Sequence, residues 1–233
     1  SGLNSFLVTH NWWHVALFLI DLGRDDEALA LYDREVWGVV KDYSQDQIGA
    51  VSLLARFELA GIDVGARWND VSGYLLQRMA DHVLPFLDLQ YLYGLARAGR
   101  PEADALLRNI EAHAPRAPLS ARAAWEHVCV PAARGLVAHA RGDFASAIEG
   151  LGSALPRLIE IGGSHAQRDL FEQVYLDALV RTGSQATLTG AQGILQQQIN
   201  GQPESLRLRR QVGEVYARLG LEQLVFRIRE TGS

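Results

Sequence analysis

The sequence predicts an all-α fold built from about six helical hairpins, and two observations support this prediction. Leu and Ala together number 64, whereas the β-branched Val and Ile number 27, a balance that favours helix over strand. Glycine also recurs between amphipathic stretches, at spacings of 38, 38, 43, 41 and 37 residues. The six glycines are Gly23, Gly61, Gly99, Gly142, Gly183 and Gly220. We expect each to end the first helix of a hairpin in the left-handed conformation.

Helix boundaries are indicated at several points along the chain. Ser44, with Gln47 three residues later, has the form of a capping box and predicts the start of the second hairpin. Pro85 suits the first turn of the third hairpin. Pro131 either starts the fourth hairpin or kinks a longer helix that begins near Ser120.

The stretch from Ala114 to Pro118 is the clearest linker in the sequence. It separates residues 1–113, with repeats 1 to 3, from residues 114–233, with repeats 4 to 6. We expect the two halves to continue as one solenoid. Further along, Gly162 and Gly163 stop a helix, and Ser164 with Gln167 forms a capping box for the next one.

The composition excludes several classes of protein. A net charge of −5 disfavours nucleic-acid binding, and the single Cys129 cannot form an intramolecular disulfide. The longest apolar run, Val15 to Ile20, is far shorter than a membrane span. We therefore expect a cytoplasmic protein with no membrane or nucleic-acid partner, for which homo-oligomers are conceivable.

The first and fourth units carry the expected residue types at the offsets of a tetratricopeptide repeat. In the fourth unit these are Gly135, Ala138, Gly142, Ala147 and Leu151. In the first unit these residues are Trp12, Ala16, Leu19, Gly23, Ala28 and Tyr32. Small residues at these offsets let two helices approach closely, and aromatic residues fill the remaining gaps. The offsets predict that Trp12 is buried between the two helices while Trp13 faces the concave groove of the array. The same offsets in later units place further residues on this concave face: Ser52, Glu58, Gln90, Tyr93, Arg97, His139, Gln173, Asp177, Arg181 and Arg218.

The string from Thr9 to His14 places His10 and His14 four residues apart, on one face of a helix. Two such imidazoles can bind one metal ion, but a zinc site normally has a third protein ligand and a catalytic one a helper Glu. A groove-lining role is therefore favoured. We expect no metal, no cofactor and no catalytic residue.

Two other strings carry polar residues with alternative roles. His165, Arg168 and Asp169 follow the predicted cap at Ser164 and are not needed for capping, so they are candidates for ligand contact. Asp88, with Asp81 and His82, brackets the turn into the third hairpin, where capping is favoured over chemistry. Because a superhelical array curves, we expect the 162–169 segment to approach the helix that carries His10 and His14.

Four strings together resemble the tetratricopeptide repeat protein 38 family, in order and in spacing. They are THNWWH with the helices behind it (9–33), GIDVGARWNDV (61–71), DHVLPFLD (81–88) and GGSHAQRD (162–169). The resemblance implies a cytosolic helical-repeat protein of about twice this length, whose C-terminal half this chain matches. The chain would then be a fragment or a short member.

The resemblance also marks polar positions in this chain. They are His10, Asn11, His14, Arg67, Trp68, Asp81, His82, Asp88, His165, Gln167, Arg168 and Asp169. The family often has His at the position of Gln90 and Asp in the stretch that holds Gly49. These two departures weaken an enzymatic interpretation for this member.

Two hypotheses for the function follow from these observations. The first is a tetratricopeptide-repeat binding or scaffold protein whose concave groove holds a peptide, a protein segment or the N-terminal half of the same protein. The alternative is an enzyme or metal-dependent protein in which His10, His14, His82 and His165 converge in the groove. The candidate ligand-binding residues are His10, Trp13, His14, Asp88, His165, Arg168 and Asp169.

Overall fold

The structure is a computed structural model that describes residues 5–221, with side chains from residue 7 onward. Within that range the regular structure is entirely helical and no strand occurs, as the composition predicts. No helix in this part of the chain is both long enough and apolar enough to traverse a lipid bilayer.

Twelve α-helices span the described range. They are α1 (Ser5–Asp21), α2 (Asp25–Leu31), α3 (Ser44–Leu59), α4 (Arg67–Leu75), α5 (Pro85–Arg97), α6 (Glu102–His113), α7 (Leu119–Ala124), α8 (Val130–Ala140), α9 (Phe144–Ala154), α10 (His165–Thr182), α11 (Gln185–Gly201) and α12 (Leu206–Arg218). Two π-helical segments, Tyr32–Val36 and Trp125–Cys129, and three 3-10 segments, Leu76–Arg78, Ala114–Arg116 and Leu155–Ile161, extend or join them.

Helices that follow one another in sequence pack together in pairs. α1 packs against α2, α3 against α4, α5 against α6, α8 against α9, and α10 against α11. Each of the six recurring glycines follows the first helix of a unit and has φ between 66° and 83°, which confirms their expected left-handed conformation. The second helix of the sixth predicted hairpin lies outside the described residues.

The predicted helix boundaries have mixed outcomes. Pro85 begins α5, as expected. Ser164 and Gln167 form the predicted capping box at the start of α10. The box predicted at Ser44 is wrong, because the side-chain amide of Gln47 instead donates to the Lys41 carbonyl, 3.0 Å away.

Pro131 lies within a long helix, which is the second of the two alternatives that the sequence leaves open for it. α7 continues through the π-helical segment Trp125–Cys129 into α8, and Pro131 is in the first turn of α8. Proline cannot donate a backbone hydrogen bond, and its ring crowds the preceding turn. The wider π-helical turn just before Pro131 is the local change that accompanies it.

One apolar core runs from α1 to α10 and continues across residue 114 without interruption. A smaller apolar cluster joins α10, α11 and α12. The helices also close upon each other, because α10 packs directly against α3, and α12 packs against α1. As a result many side chains of the predicted concave face are buried, among them Trp13, Ser52, Gln90, Tyr93, His139 and Gln173.

The predicted burial of the two adjacent tryptophans is reversed. Trp13 is 2% exposed and Trp12 is 38% exposed. The buried stripe of α1 runs through Thr9, Trp13, Ala16 and Ile20, because these residues face α3 and the second helix of the hairpin. Trp12 lies at the edge of this stripe and remains partly open.

Candidate functional site

A cavity of about 550 Å³ lies where α1, α3, α10, α11 and α12 meet. We call it the α10 cavity. Its apolar lining includes Leu17, Ile20 and Leu208, and its polar lining includes charged and amide side chains from all five helices. The cavity exists because the last described helices return to the first one and leave a gap at their junction.

The α10 cavity brings together two segments that are 151 residues apart in sequence. His14, from α1, lines it together with His165 and Asp169, from the first turn of α10. The capping box at Ser164 fixes where α10 begins and therefore where these two side chains lie. The expected approach of the two segments is thus found.

Arg56 lines the α10 cavity and is only 3% exposed. Its guanidinium donates to the carbonyl of Ala166, 2.8 Å away, and lies 3.6 Å from the carboxylate of Asp169. A second nitrogen bonds the Ser52 hydroxyl. Burial lowers the pKa of Arg56 to about 10, so the side chain is still charged at neutral pH. Arg56 thereby joins α3 to α10.

Asp21 and Arg207 form a second ion pair in the lining of the α10 cavity, and their charges act on Arg56. Arg207 Nε donates to the Asp21 carboxylate, 2.8 Å away, and the Ser205 hydroxyl donates to the same oxygen at 3.1 Å. These contacts join the end of α1 to the start of α12. Each of the two arginines that line the cavity therefore has its own carboxylate partner.

Glu172 is an exposed residue that adds a negative charge to the lining of the α10 cavity, and the charges of His165 and Arg168 act on it. Its carboxylate has no ion pair within residues 5–221, although it lines the same cavity. Desolvation and the nearby Asp169 carboxylate raise the pKa of Glu172, although His165 and Arg168 act in the opposite direction. Two arginines and three carboxylates line the cavity, so it carries a small excess of negative charge.

His10, Trp13 and His14 form a cluster of three rings on α1. The Nε2 atoms of the two histidines lie 3.2 Å apart, and their rings are nearly perpendicular at 83°. The Trp13 ring is stacked on His10 and meets His14 edge-on, with centroids 5.5 and 4.8 Å apart. Burial lowers the pKa of His10, and the neighbouring His14 lowers it further.

Arg168 does not line the α10 cavity, contrary to its expected role in ligand contact. Its guanidinium donates to the carbonyl groups of Gly162 and Gly163, on its own loop. Asp88 is also away from the cavity and is fully buried. Both residues are held by local contacts that stabilise the turns before α10 and α5.

Asp88 and His82 form a pair at the turn before α5. Nδ1 of His82 lies 2.5 Å from Oδ2 of Asp88. No side chain caps α5 by a hydrogen bond, but Asp88 lies in its first turn, where its charge was expected to favour the helix N-terminus. The His82 ring is stacked on His113 with centroids 4.7 Å apart. His82 has a φ of 41°, in the left-handed region that residues other than glycine rarely adopt.

The four histidines of the alternative hypothesis do not converge. His10 and His14 are adjacent and His165 lines the cavity beside His14, but His82 contacts His113 and Trp125 instead. Among the described residues, no three His, Cys, Asp or Glu side chains are grouped to hold a metal ion. The predicted four-histidine centre is therefore wrong.

A hydrogen-bonded chain links four residues that the repeat offsets place on the concave face, although the sequence did not predict that they pair with one another. The Tyr93 hydroxyl lies 2.9 Å from Nδ1 of His139, whose Nε2 donates to the Asp177 carboxylate at 2.8 Å. Arg181 also pairs with Asp177. The four residues come from α5, α8 and α10, and no local motif signals that they meet.

A smaller pocket next to the ring cluster contains both positions at which the chain departs from the resembled family. Gln90 and Gly49 line this pocket together with His10 and Trp13. Gln90 is 1% exposed, and within the described part of the chain its amide has no hydrogen-bond partner. Gln90, where the resembled family often has His, therefore lies in the same pocket as His10, which the resemblance marks.

Arg67 and Trp68, which the resemblance also marks, lie outside the α10 cavity. Arg67 forms an ion pair with Asp33 at 2.7 Å, and Trp68 is buried at the start of α4.

No protein-family model matches the chain, and no solved structure matches it. Membership of the tetratricopeptide repeat protein 38 family accordingly stays a prediction carried by the four strings.

Proposed function

We propose that the chain is a tetratricopeptide-like solenoid that binds a peptide or protein segment in the α10 cavity. The near-regular glycine spacing and the packed helix pairs support the repeat architecture. The observation that carries the binding function is the α10 cavity itself, at about 550 Å³. Binding cavities for compact ligands have volumes of roughly 300–1,000 Å³.

The lining of the cavity favours a peptide as the ligand. Four glutamines contribute amides to it: Gln173, Gln197, Gln198 and Gln202. An amide side chain both donates and accepts hydrogen bonds, as a peptide backbone does, so it can pair with an extended segment. The side-chain oxygen of Gln198 is buried without a hydrogen-bond partner in residues 5–221. The apolar Leu17 and Ile20 offer a surface for an aliphatic side chain.

The charge of the cavity favours a basic residue in the bound segment. Arg56 and Arg207 already have carboxylate partners, whereas Glu172 has no ion pair in the described range. A Lys or Arg side chain would gain a partner in Glu172, and an acidic side chain would be repelled by it. The proposed ligand is therefore a short basic or neutral segment with an aliphatic residue.

The experiment compares two pools of fluorescein-labelled pentapeptides, one with Lys and one with Glu fixed at the central position. We expect the Lys pool to increase fluorescence polarisation on titration with the protein, and the Glu pool to bind at least about tenfold more weakly. Glu172→Gln should remove most of that difference. The matched control is Glu160→Gln, because Glu160 pairs with Arg157 away from the cavity.

Two results would contradict the proposal. One is equal binding of both pools by the wild-type protein. The other is an equal loss of Lys-pool binding in Glu160→Gln and Glu172→Gln, since this would place the binding surface elsewhere.

A further inference from the structure

We infer that His10 and His14 form a two-histidine chelate for a divalent ion of the Zn²⁺ type, to which residues 5–221 add no third His, Cys, Asp or Glu ligand. This inference does not depend on the proposed peptide binding. It rests on the separation of the two Nε2 atoms, on the rings that hold them and on the surroundings of the pair.

The separation of the two Nε2 atoms matches that of two ligands on one ion. Zn–N bonds to histidine measure about 2.0–2.1 Å, so two of them at a tetrahedral angle place their nitrogens about 3.3 Å apart, and at a right angle about 2.9 Å. In the structure Nε2 of His10 and Nε2 of His14 are 3.2 Å apart. Both imidazoles can therefore reach one ion without a change in the backbone of α1.

The orientation of both rings is fixed before any ion binds. Trp13 is 2% exposed and contacts both histidine rings, one by stacking and the other edge-on. The Arg56 guanidinium lies 5.5 Å from the Trp13 ring centroid, on a residue that is itself held by α10. Side chains that are held in place lose little conformational entropy when they bind, so a chelate of only two residues gains affinity.

The ligand type selects the class of ion. Neutral imidazole nitrogen suits Zn²⁺, Cu²⁺, Ni²⁺ and Co²⁺, whereas Mg²⁺ and Ca²⁺ prefer oxygen ligands. In the metal-free pair, one Nε2–H donates to the other Nε2. When an ion binds, that proton moves to Nδ1 of the same ring, so both Nε2 lone pairs face the ion and no net proton is lost.

The pair leaves part of the coordination sphere to water or to a bound ligand. Within the described residues no third His, Cys, Asp or Glu completes the site. His14 lines the α10 cavity and His10 lines the small pocket beside Gln90, so an ion between them lies at the junction of the two spaces. An open position at that junction is accessible to a donor atom that enters the cavity.

The test is isothermal titration of ZnCl₂ into the metal-free protein at pH 7.5, with visible absorption of bound Co²⁺ as a second measurement. We expect one ion per chain for the wild type. His14→Ala and His10→Gln should each weaken the affinity by at least about tenfold, because a single imidazole cannot chelate. His127→Ala is the matched control, since His127 is an exposed histidine on a different helix.

Circular dichroism melts of each variant separate loss of the site from loss of the fold. If His14→Ala does not fold, His10→Gln decides the test, because His10 is partly exposed at the surface of α1. The inference is overturned if the wild type shows no saturable binding, or if the folded His10→Gln variant binds Zn²⁺ as tightly as the His127→Ala control. Peptide binding by a protein without Zn²⁺ affinity would leave the proposed function intact.

Discussion

Arg56 lies over the ring of Trp13, with its guanidinium carbon 5.5 Å from the ring centroid, and the same guanidinium bonds the backbone of α10. One buried side chain thus connects α1, α3 and α10. The contact helps to explain why Trp13 is buried, although the repeat offsets predict that it faces an open groove.

Replacing Arg56 with Met should lower the free energy of unfolding by about 2–4 kcal/mol, because the carbonyl of Ala166 and the carboxylate of Asp169 lose a buried partner. Urea unfolding measures the loss. Arg157→Met, which removes an exposed pair with Glu160, should leave the urea midpoint unchanged. Equal midpoints for the two variants would mean that Arg56 does not join the helices.

Trp13→Ala should lower the free energy of unfolding by about 3–5 kcal/mol, and Trp12→Ala by distinctly less. The reason is burial: Trp13 is 2% exposed and Trp12 is 38% exposed. Chemical denaturation of both variants tests this order. A larger loss for Trp12→Ala would instead support the arrangement that the repeat offsets predict.

Gly150→Ala should destabilise the protein by about 1–3 kcal/mol, because an added Cβ would lie 2.6 Å from the Pro131 carbonyl and 2.8 Å from the Gly135 nitrogen. Gly193→Ala is the matched control in α11. A Cβ there meets nothing within 4 Å, and the higher helix propensity of Ala should raise stability by up to about 1 kcal/mol. The two thermal melts should therefore shift in opposite directions, and a rise for Gly150→Ala would show that α8 and α9 can separate at little cost.

The pH dependence of stability should reveal the buried Asp88 carboxyl. Burial raises the pKa of Asp88 from 3.8 to about 6. Between these two values the folded protein keeps a proton that the unfolded chain releases, so stability falls as the pH rises through this window.

Asp88→Asn provides the reference for this titration, because an amide does not ionise. Relative to Asp88→Asn, the wild type should lose about 2–3 kcal/mol between pH 4 and pH 7. Urea unfolding at one-unit intervals of pH measures the difference. A constant difference across that range would mean that Asp88 is ionised throughout, held by His82.

The sequence predicts the helices better than it predicts their burial. Glycines at regular spacing identify helix ends, because the left-handed conformation is a local property of the backbone. The Ser164 and Gln167 cap is equally local and was predicted correctly, whereas the similar pattern at Ser44 was not, since Gln47 found a partner in the preceding loop. The degree of exposure of Trp12 and Trp13 depends on which helices cover α1, and no local pattern encodes that.

The candidate site shows the same difference between local patterns, which the sequence reveals, and contacts between distant residues, which it does not. His14 and Asp169 were expected near each other because an array of helices curves, and both line the α10 cavity. The buried Arg56 and the pairing of Arg207 with Asp21 were missed, since each joins residues that are far apart in sequence. Arg168 was assigned to ligand contact because nothing in the sequence indicated that its own loop carbonyls would bind it.

The bonds from Asp21 to Ser205 and Arg207 span 184 and 186 residues of chain. In a linear repeat array each unit contacts only its neighbours, so the array can fray from either end and partly unfolded states are common. In this chain α1 cannot detach without also breaking its contacts with α12, the last described helix. Such closure favours all-or-none unfolding and slow folding with a high contact order. Removing α12 should accordingly increase hydrogen exchange in α1 as well as in the neighbouring α11.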